Sequence, residues 1–485
     1  MDHTEDKPIS SHIEHKTGSG EVAHLDDYER HSTEHEYDPA FVKRTIRKLD
    51  IRLLIILGAM YSIALIDRTN LSSARVAGMN VELDLNVGER YSIATLVFFV
   101  PYIIFEFPSN ILLRKIGARN LLSSITILWG AATLAIAFVK NWQSLVGLRV
   151  VLGFFEAGFF PGCVYLLSSW YTRWRTQTRI SLFYLMSMFI SGLSQILAYG
   201  LIQIPRAGMV HTWRWIFLVL GAFTMALGVL SIFLIIDFPD KNTFLTAEET
   251  EMVMTMLDKD RGDATPDVMT RGKVIKHMTC WRTWCYGLCF MNSTLPSYAF
   301  AYFLPVILAG QGYSQVAALC LSAPPYAAAA IYTFCIAISS DKLRKRGLFV
   351  CVNAVVTVVG CSIIGYAKNK DVRYFGCFLA IMGAQANVPS VLAFQANNTV
   401  THTKKSVSSA IVIGMGGVGG IMASTVYRQA DFPRYIPGLW ATIGAQLFTI
   451  VLVGILTVFN GRFNRRLDKG EVPPIQGIEG FRYSI

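Results

Sequence analysis

Along the chain, apolar positions gather in long runs, and polar positions are confined largely to the gaps between them. Each run is about 20 residues, the length an α-helix needs to cross the hydrocarbon core of a bilayer. Twelve such segments are read, at 51–74, 90–113, 121–139, 143–169, 179–203, 213–236, 282–309, 315–338, 347–367, 372–398, 406–427 and 436–460. Segments 4 and 10 run long, which suits tilting or kinking. The pattern predicts an all-α membrane protein of twelve transmembrane helices in two six-helix bundles.

The gaps are uneven, and the longest, 237–281, divides the segments into six and six. It holds "TAEETEMVMTMLDKD", a Thr with Glu following and then Met252, Met254, Met256 and Leu257. A short amphipathic helix outside the membrane is expected there. The expected organisation is a disordered acidic tail at 1–44, a bundle at 45–236, the central loop at 237–281, a bundle at 282–462 and a second tail at 463–485. Loops 2–3 and 8–9 read "LLRKIGAR" and "SSDKLRKRG". Their equivalent places in the two halves form a weak internal repeat of the kind transporters show. The polar first 40 residues look unlike a secretory signal, so the first segment is expected to direct insertion.

The net charge of +11 does not point to nucleic acid, because the charge is sorted by topology. The first 40 residues carry a net −8 and six of the nine His, with no metal-ligand spacing. A solvated, regulatory tail is expected. With the N-terminus inside, 28 Lys and Arg fall in inner gaps and 10 in outer ones. That is the positive-inside bias of a protein with both termini cytosolic. Separately, a monomer in the plasma membrane is expected. Nine Cys show no CxxC and no metal spacing. Gly414, Gly416 and Gly419 spell G-x-G-x-x-G, but no strand precedes them, so helix packing is the better reading. No His lies in the core of a segment, and neither a metal cluster nor a cofactor motif is found. An enzyme is therefore not expected, nor is a cofactor.

Five charges sit well inside the segments: Asp67 and Arg68 in the first, Glu106 in the second, Arg149 and Glu156 in the fourth. Such charges are costly in hydrocarbon and usually face a bundle interior or a wet cavity. Arg149 and Glu156 are seven apart and share one helix face. Asp67 and Arg68 point about 100° apart, so one can face the centre and the other a neighbouring helix. A salt bridge that only ties segments 1 and 4 together is the plainer alternative. Glu106, near Arg114 and Lys115, reads as an interfacial or gating group.

Specific stretches carry a family resemblance. They are "DRTNLSSA", "YIIFEFPSNILLRKIGAR", "GLRVVLGFFEAGFFPG", "SAPPY", "SSDKLRKRG" and "VYRQADFPRYIPG". Across about 45–465 the chain resembles the major facilitator superfamily, its anion:cation symporter branch and, within that, the fungal allantoate permease group. The resemblance implies a major facilitator fold and transport of small organic anions, among them vitamins and nitrogenous carboxylates. It also implies that substrate and proton groups stand at these positions of segments 1 and 4. Two departures stand out. Asn110 and Arg114 replace the Gly and Asp usual in the 2–3 loop, whereas Asp341 and Lys342 keep the second loop's pattern. Segment 11 reads "GMGGVGG" where relatives often have an Asn near Met415.

The expected function is proton-coupled import of a small organic anion by alternating access. Arg68 and Arg149 would hold the carboxylate. Asp67 and Glu156 would carry the proton, and Glu106, Arg114, Asp341 and Lys342 would serve gating. Tyr298 and Tyr302, one helical turn apart, with Asn292, Gln385, Asn387 and Gln395, would line the pocket from the second half or simply pack its helices. Aromatic walls suit a ring such as a pyridine carboxylate. The partners are thus substrate, proton and bilayer. Metabolite export on the same fold, or nutrient sensing, are the alternatives.

Overall fold

The computed structural model describes residues 37–205, 212–262, 271–343, 345–399, 402–472 and 482–484. Among these residues the chain forms helices and no strand. The histidine-rich stretch of the first 36 residues lies outside them.

The first helix, α1 (Pro39–Ala74), starts well before the first apolar run. Asp38 caps it by accepting the Ala40 N–H at 3.1 Å. A π turn over Arg75–Met79 then carries the chain into a last helical turn, Asn80–Glu82. Gly78 takes a φ of 108° there, a value open to glycine.

Segment 2 forms two helices, α2 (Arg90–Leu96) and α3 (Phe99–Ile116). Segment 4 does likewise, as α5 (Trp142–Glu156) and α6 (Phe159–Trp170), after α4 (Ala118–Ile136). Proline explains both breaks. Pro101 has no N–H for the Val97 carbonyl, and Pro161 none for that of Ala157. The first half ends with α7 (Arg173–Ile202) and α8 (Arg214–Leu234).

The central stretch contributes α9 (Ala247–Gly262) and α10 (Arg271–Met278). α9 is the expected amphipathic helix, with Met252, Val253, Met256 and Leu257 buried, while Met254 is only half-buried. Thr246 and Glu249 close a capping box: the Glu249 N–H donates to Thr246 Oγ1 at 3.2 Å, and the Thr246 N–H donates to Glu249 Oε2 at 3.0 Å. Glu249 also pairs with Lys48 Nζ of α1 at 2.9 Å, which docks α9 beneath the first half.

The second half comprises α11 (Trp281–Gly310), α12 (Gln315–Leu343), α13 (Arg346–Tyr366), α14 (Lys370–Asn397), α15 (His402–Val426) and α16 (Ile436–Asp468). Segment 10 stays one helix despite Pro389. Among the described residues, ten helical stretches are long and apolar enough to cross a membrane. The broken α2–α3 and the basic-ended α7 fall outside that count. Ile104, Phe233, Ile331 and Val451 are more than half exposed. A bilayer solvates such a surface; water does not.

Within the halves, α4 packs on α8 and α13 on α14. Across them, α1 meets α11, α7 meets α12, and α15 meets α2 and α3. The glycine run of α15 serves this packing: a Cβ at Gly419 would sit 2.2 Å from Thr294 Oγ1, and one at Gly420 2.4 Å from the Phe99 ring.

Candidate functional site

The charged residues of α1 and α5 meet at the centre of the first half. Arg68 is buried, and its Nε donates to Glu156 Oε1. Its NH1 donates to the Tyr298 hydroxyl of α11 at 3.3 Å, so this cation links the two halves. The guanidinium lies 4.7 Å from the Tyr102 ring centre and 5.3 Å from that of Phe98. Glu156 is fully buried, and its Oε2 has no partner.

Arg149 stands two turns before Glu156 on α5 and is 1% exposed. Its Nε donates to the Ala94 carbonyl at 3.2 Å, and its guanidinium lies 5.2 Å from the Phe98 ring centre. Both arginines thus flank Phe98. Unlike Arg68, Arg149 pairs with no carboxylate among the described residues, and its NH1 and NH2 are buried without any hydrogen bond. Two orphaned donors on a buried cation call for an acceptor that the protein does not supply.

Asp67 turns the other way. Its Oδ2 accepts from Trp129 Nε1 of α4 at 3.3 Å and Thr224 Oγ1 of α8 at 3.1 Å, and its Oδ1 accepts from Asn70 Nδ2 at 3.4 Å. The adjacent charges therefore part, one toward the centre and one into the bundle. Neither Trp129 nor Thr224 was anticipated, since an indole or a hydroxyl in an apolar run is ordinary.

Tyr298 and Tyr302 stack with ring centres 6.2 Å apart, and Phe99 meets Tyr298 edge-on at 5.0 Å. The Tyr302 hydroxyl is buried without a partner. These rings stand beside Arg68. The second-half amides form a separate knot around Gln446 of α16. Gln446 Nε2 donates to the Asn292 carbonyl at 2.6 Å, and Asn387 Nδ2 donates to Gln446 Oε1 at 3.3 Å. Asn292 Nδ2 and Asn387 Oδ1 keep no partner. No hydrogen bond among the described residues joins this knot to either arginine. Gln446 was missed, although a lone amide in the apolar run "ATIGAQLFTI" was the signal. Gln385 is half-buried on α14, and Gln395 donates to Ser408 at 3.0 Å.

Of the gating set, Glu106 is buried on α3 and Lys115 is exposed, while the side chain of Arg114 lies outside the described residues. Asp341 pairs with Arg346 of its own loop, and Lys342 is exposed.

At the end of the bundle away from the basic loops, the halves are tied together. Tyr91 donates to the Tyr302 carbonyl at 3.0 Å and Ser72 to the Ala301 carbonyl at 3.2 Å. Arg75, counted from sequence among the gaps, is buried there with its guanidinium 3.9 Å from the Tyr91 ring centre.

Packed membrane helices around a buried charged centre that one contact, Arg68 to Tyr298, links to the second half are the architecture of secondary transporters. The chain belongs to the Major Facilitator Superfamily, whose family model matches residues 57–424. It is 30% identical over 439 residues to the major facilitator-type transporter hxnP of Emericella nidulans, covering 88% of this chain and 87% of that protein. It is 28% identical to the high-affinity nicotinic acid transporter of Saccharomyces cerevisiae, covering 88% of this chain and 79% of that one. Among solved structures, an inward-facing, unoccupied bacterial homologue of the human lysosomal transporter Spinster matches with a TM-score of 0.63 at 13% identity, over 86% of this chain and 96% of that one. The Escherichia coli xylose transporter XylE, partially occluded and inward open, matches with a TM-score of 0.64 at 13% identity, over 83% and 97%.

Proposed function

We propose that this protein imports a small organic anion together with a proton, using Arg149 and Arg68 to hold the substrate carboxylate. The observation that carries the reading is the unpaired terminal nitrogens of buried Arg149 beside the Arg68–Glu156 pair. Asp67, Arg68, Arg149 and Glu156 sum to zero charge when all are ionised. A monoanion entering alone would leave this dry centre at −1; a monoanion with one proton restores neutrality. Burying net charge costs several kcal/mol, so charge balance itself couples the two.

The exchange of partners follows from the same groups. A carboxylate drawn to Arg149 reaches Arg68 by competing with Glu156. Glu156, losing its cation in a buried site, takes up the proton. Asp67, held by Trp129 and Thr224, is the second acid and the candidate relay. Tyr298, Tyr302, Tyr102, Phe98 and Phe99 supply flat aromatic walls for a planar ring. One relative's name adds support, being that of a nicotinic acid transporter. A pyridine or similar ring carboxylate is the substrate class we favour. Asn292, Gln385 and Asn387 line the approach from the second half; Glu106, Arg114, Asp341 and Lys342 serve the inner gate.

The wider arrangement belongs to the same proposal. Twelve spans cross the plasma membrane of a monomer, with both termini cytosolic, in the domain order read from the sequence. The closed end at Tyr91 is then the outer face, and the substrate leaves inward. Uptake of labelled nicotinate into proteoliposomes tests the substrate class. Saturable uptake that planar carboxylates inhibit and neutral amides do not is the expected result. Uptake indifferent to carboxylates would overturn it.

A further inference from the structure

A second cluster of cations lies away from the transport centre, where the N-terminal ends of α11 and α15 meet the C-terminal ends of α14 and α16. Residues 482–484 roof it. The Tyr483 N–H donates to Asn464 Oδ1 at 3.0 Å, and Asn464 Nδ2 returns a bond to the Tyr483 carbonyl at 2.8 Å. The Ser484 N–H donates to Asn398 Oδ1 at 2.8 Å, and Asn460 Nδ2 donates to the Ser484 carbonyl at 3.2 Å. The Tyr483 ring is buried with the Arg282 guanidinium 4.5 Å from its centre.

Beneath this roof is a small cavity with room for about one water-sized occupant. Arg282, Lys404 and Tyr286 line it. Lys404 is 8% exposed, Arg282 Nε is buried without a partner, and so is the Tyr286 hydroxyl. No carboxylate lines the cavity, and neither cation has an acidic partner among the described residues. Burial pulls the Lys404 pKa down, and the Arg282 charge adds to that despite an opposing effect of Cys280. Two like charges lining one small cavity repel each other, and the buried Arg282 Nε needs an acceptor.

We propose that Arg282 and Lys404 bind a small inorganic anion of chloride size in this cavity, closed over by Tyr483. The anion supplies the missing negative charge and accepts from the free donors. It also holds the roof down, tying the ends of α11, α14 and α16 through the chain's last residues.

The test is thermal melting of the purified full-length protein at pH 7 and constant ionic strength, with potassium gluconate exchanged stepwise for potassium chloride. The expected result is a saturable rise of about 2 °C or more in the melting midpoint. Lys404→Met removes both a ligand and the repulsion, so it should melt normally and lose the response. Arg282→Gln is the second variant, should Lys404→Met not fold. A wild-type midpoint unmoved by chloride would overturn the proposal. A response retained in the variants would do the same, marking a general salt effect.

Discussion

Arg149 and Arg68 are both buried cations, yet they should behave differently when removed. Among the described residues Arg149 forms no ion pair with a carboxylate, so Arg149→Ala breaks no salt bridge and should destabilise less than Arg68→Ala, through the charge imbalance alone. Uptake should fall by at least about 30-fold, as expected for about 2 kcal/mol from a lost charged hydrogen bond. Arg149→Lys should restore little, because an ammonium lacks the planar fork. Arg68→Ala strips the buried Glu156 of its ion-pair partner, so it should also destabilise, by about 3–5 kcal/mol. Paired melting and initial-rate uptake measurements check both; an Arg149→Ala protein that transports normally would remove the anion clamp. Glu156→Gln mimics the protonated acid. It should exchange substrate across the membrane yet fail to concentrate it, as read by counterflow against net uptake. At this scale the charges were legible, because a charge in an apolar run has few reasons to be there. Their partners were not: the side chains that hold Asp67 come from helices about 60 and 157 residues away and carry no signature.

Single elements show where packing, rather than chemistry, decides. α5 approaches the break between α2 and α3 so closely that a Cβ on Gly153 would sit 2.1 Å from the Phe98 carbonyl oxygen. Backbone cannot step aside as a flexible side chain does, so Gly153→Ala should cost about 1–3 kcal/mol in melting experiments. It should also disturb Phe98, the ring between the two arginines. α9 gives a pH-dependent case. Burial alone would raise the Glu249 pKa, but the Lys48 bond and the Thr246 N–H outweigh it and hold it below the usual glutamate value. A lowered folded pKa means the carboxylate stabilises docking above its unfolded pKa of about 4.3. That contribution is lost as pH falls through the folded value. The pair sits near the surface, so the effect should be about 0.5 kcal/mol. Protection factors over 247–257, corrected for the intrinsic pH dependence of amide exchange, should therefore be lower at pH 3.5 than at pH 6 in the wild type, and Glu249→Gln should flatten the difference. The prolines behind both helix breaks were visible in the sequence. The extension of α1 through Arg75 was not, because a buried Arg beside a Tyr reads as a loop once the apolar run stops.

Across the whole molecule, the succession of long apolar helices was legible because a bilayer imposes a common length on helices that cross it. Gln446 and the roof formed by residues 482–484 were not, since both depend on which helix ends meet. The proposed coupling is a property of the whole molecule: neutrality of four buried charges would tie one proton to one monoanion. One proton with one monoanion moves no net charge, so the membrane potential should add nothing to the drive. Each pH unit should support about ten-fold accumulation, equal to about 1.4 kcal/mol. The direct measurement is accumulation of labelled nicotinate in proteoliposomes with a pH gradient imposed and the potential clamped to zero. Accumulation that tracks the gradient about ten-fold per unit and collapses with a protonophore is the expected result. Accumulation that ignores the pH gradient would contradict the account.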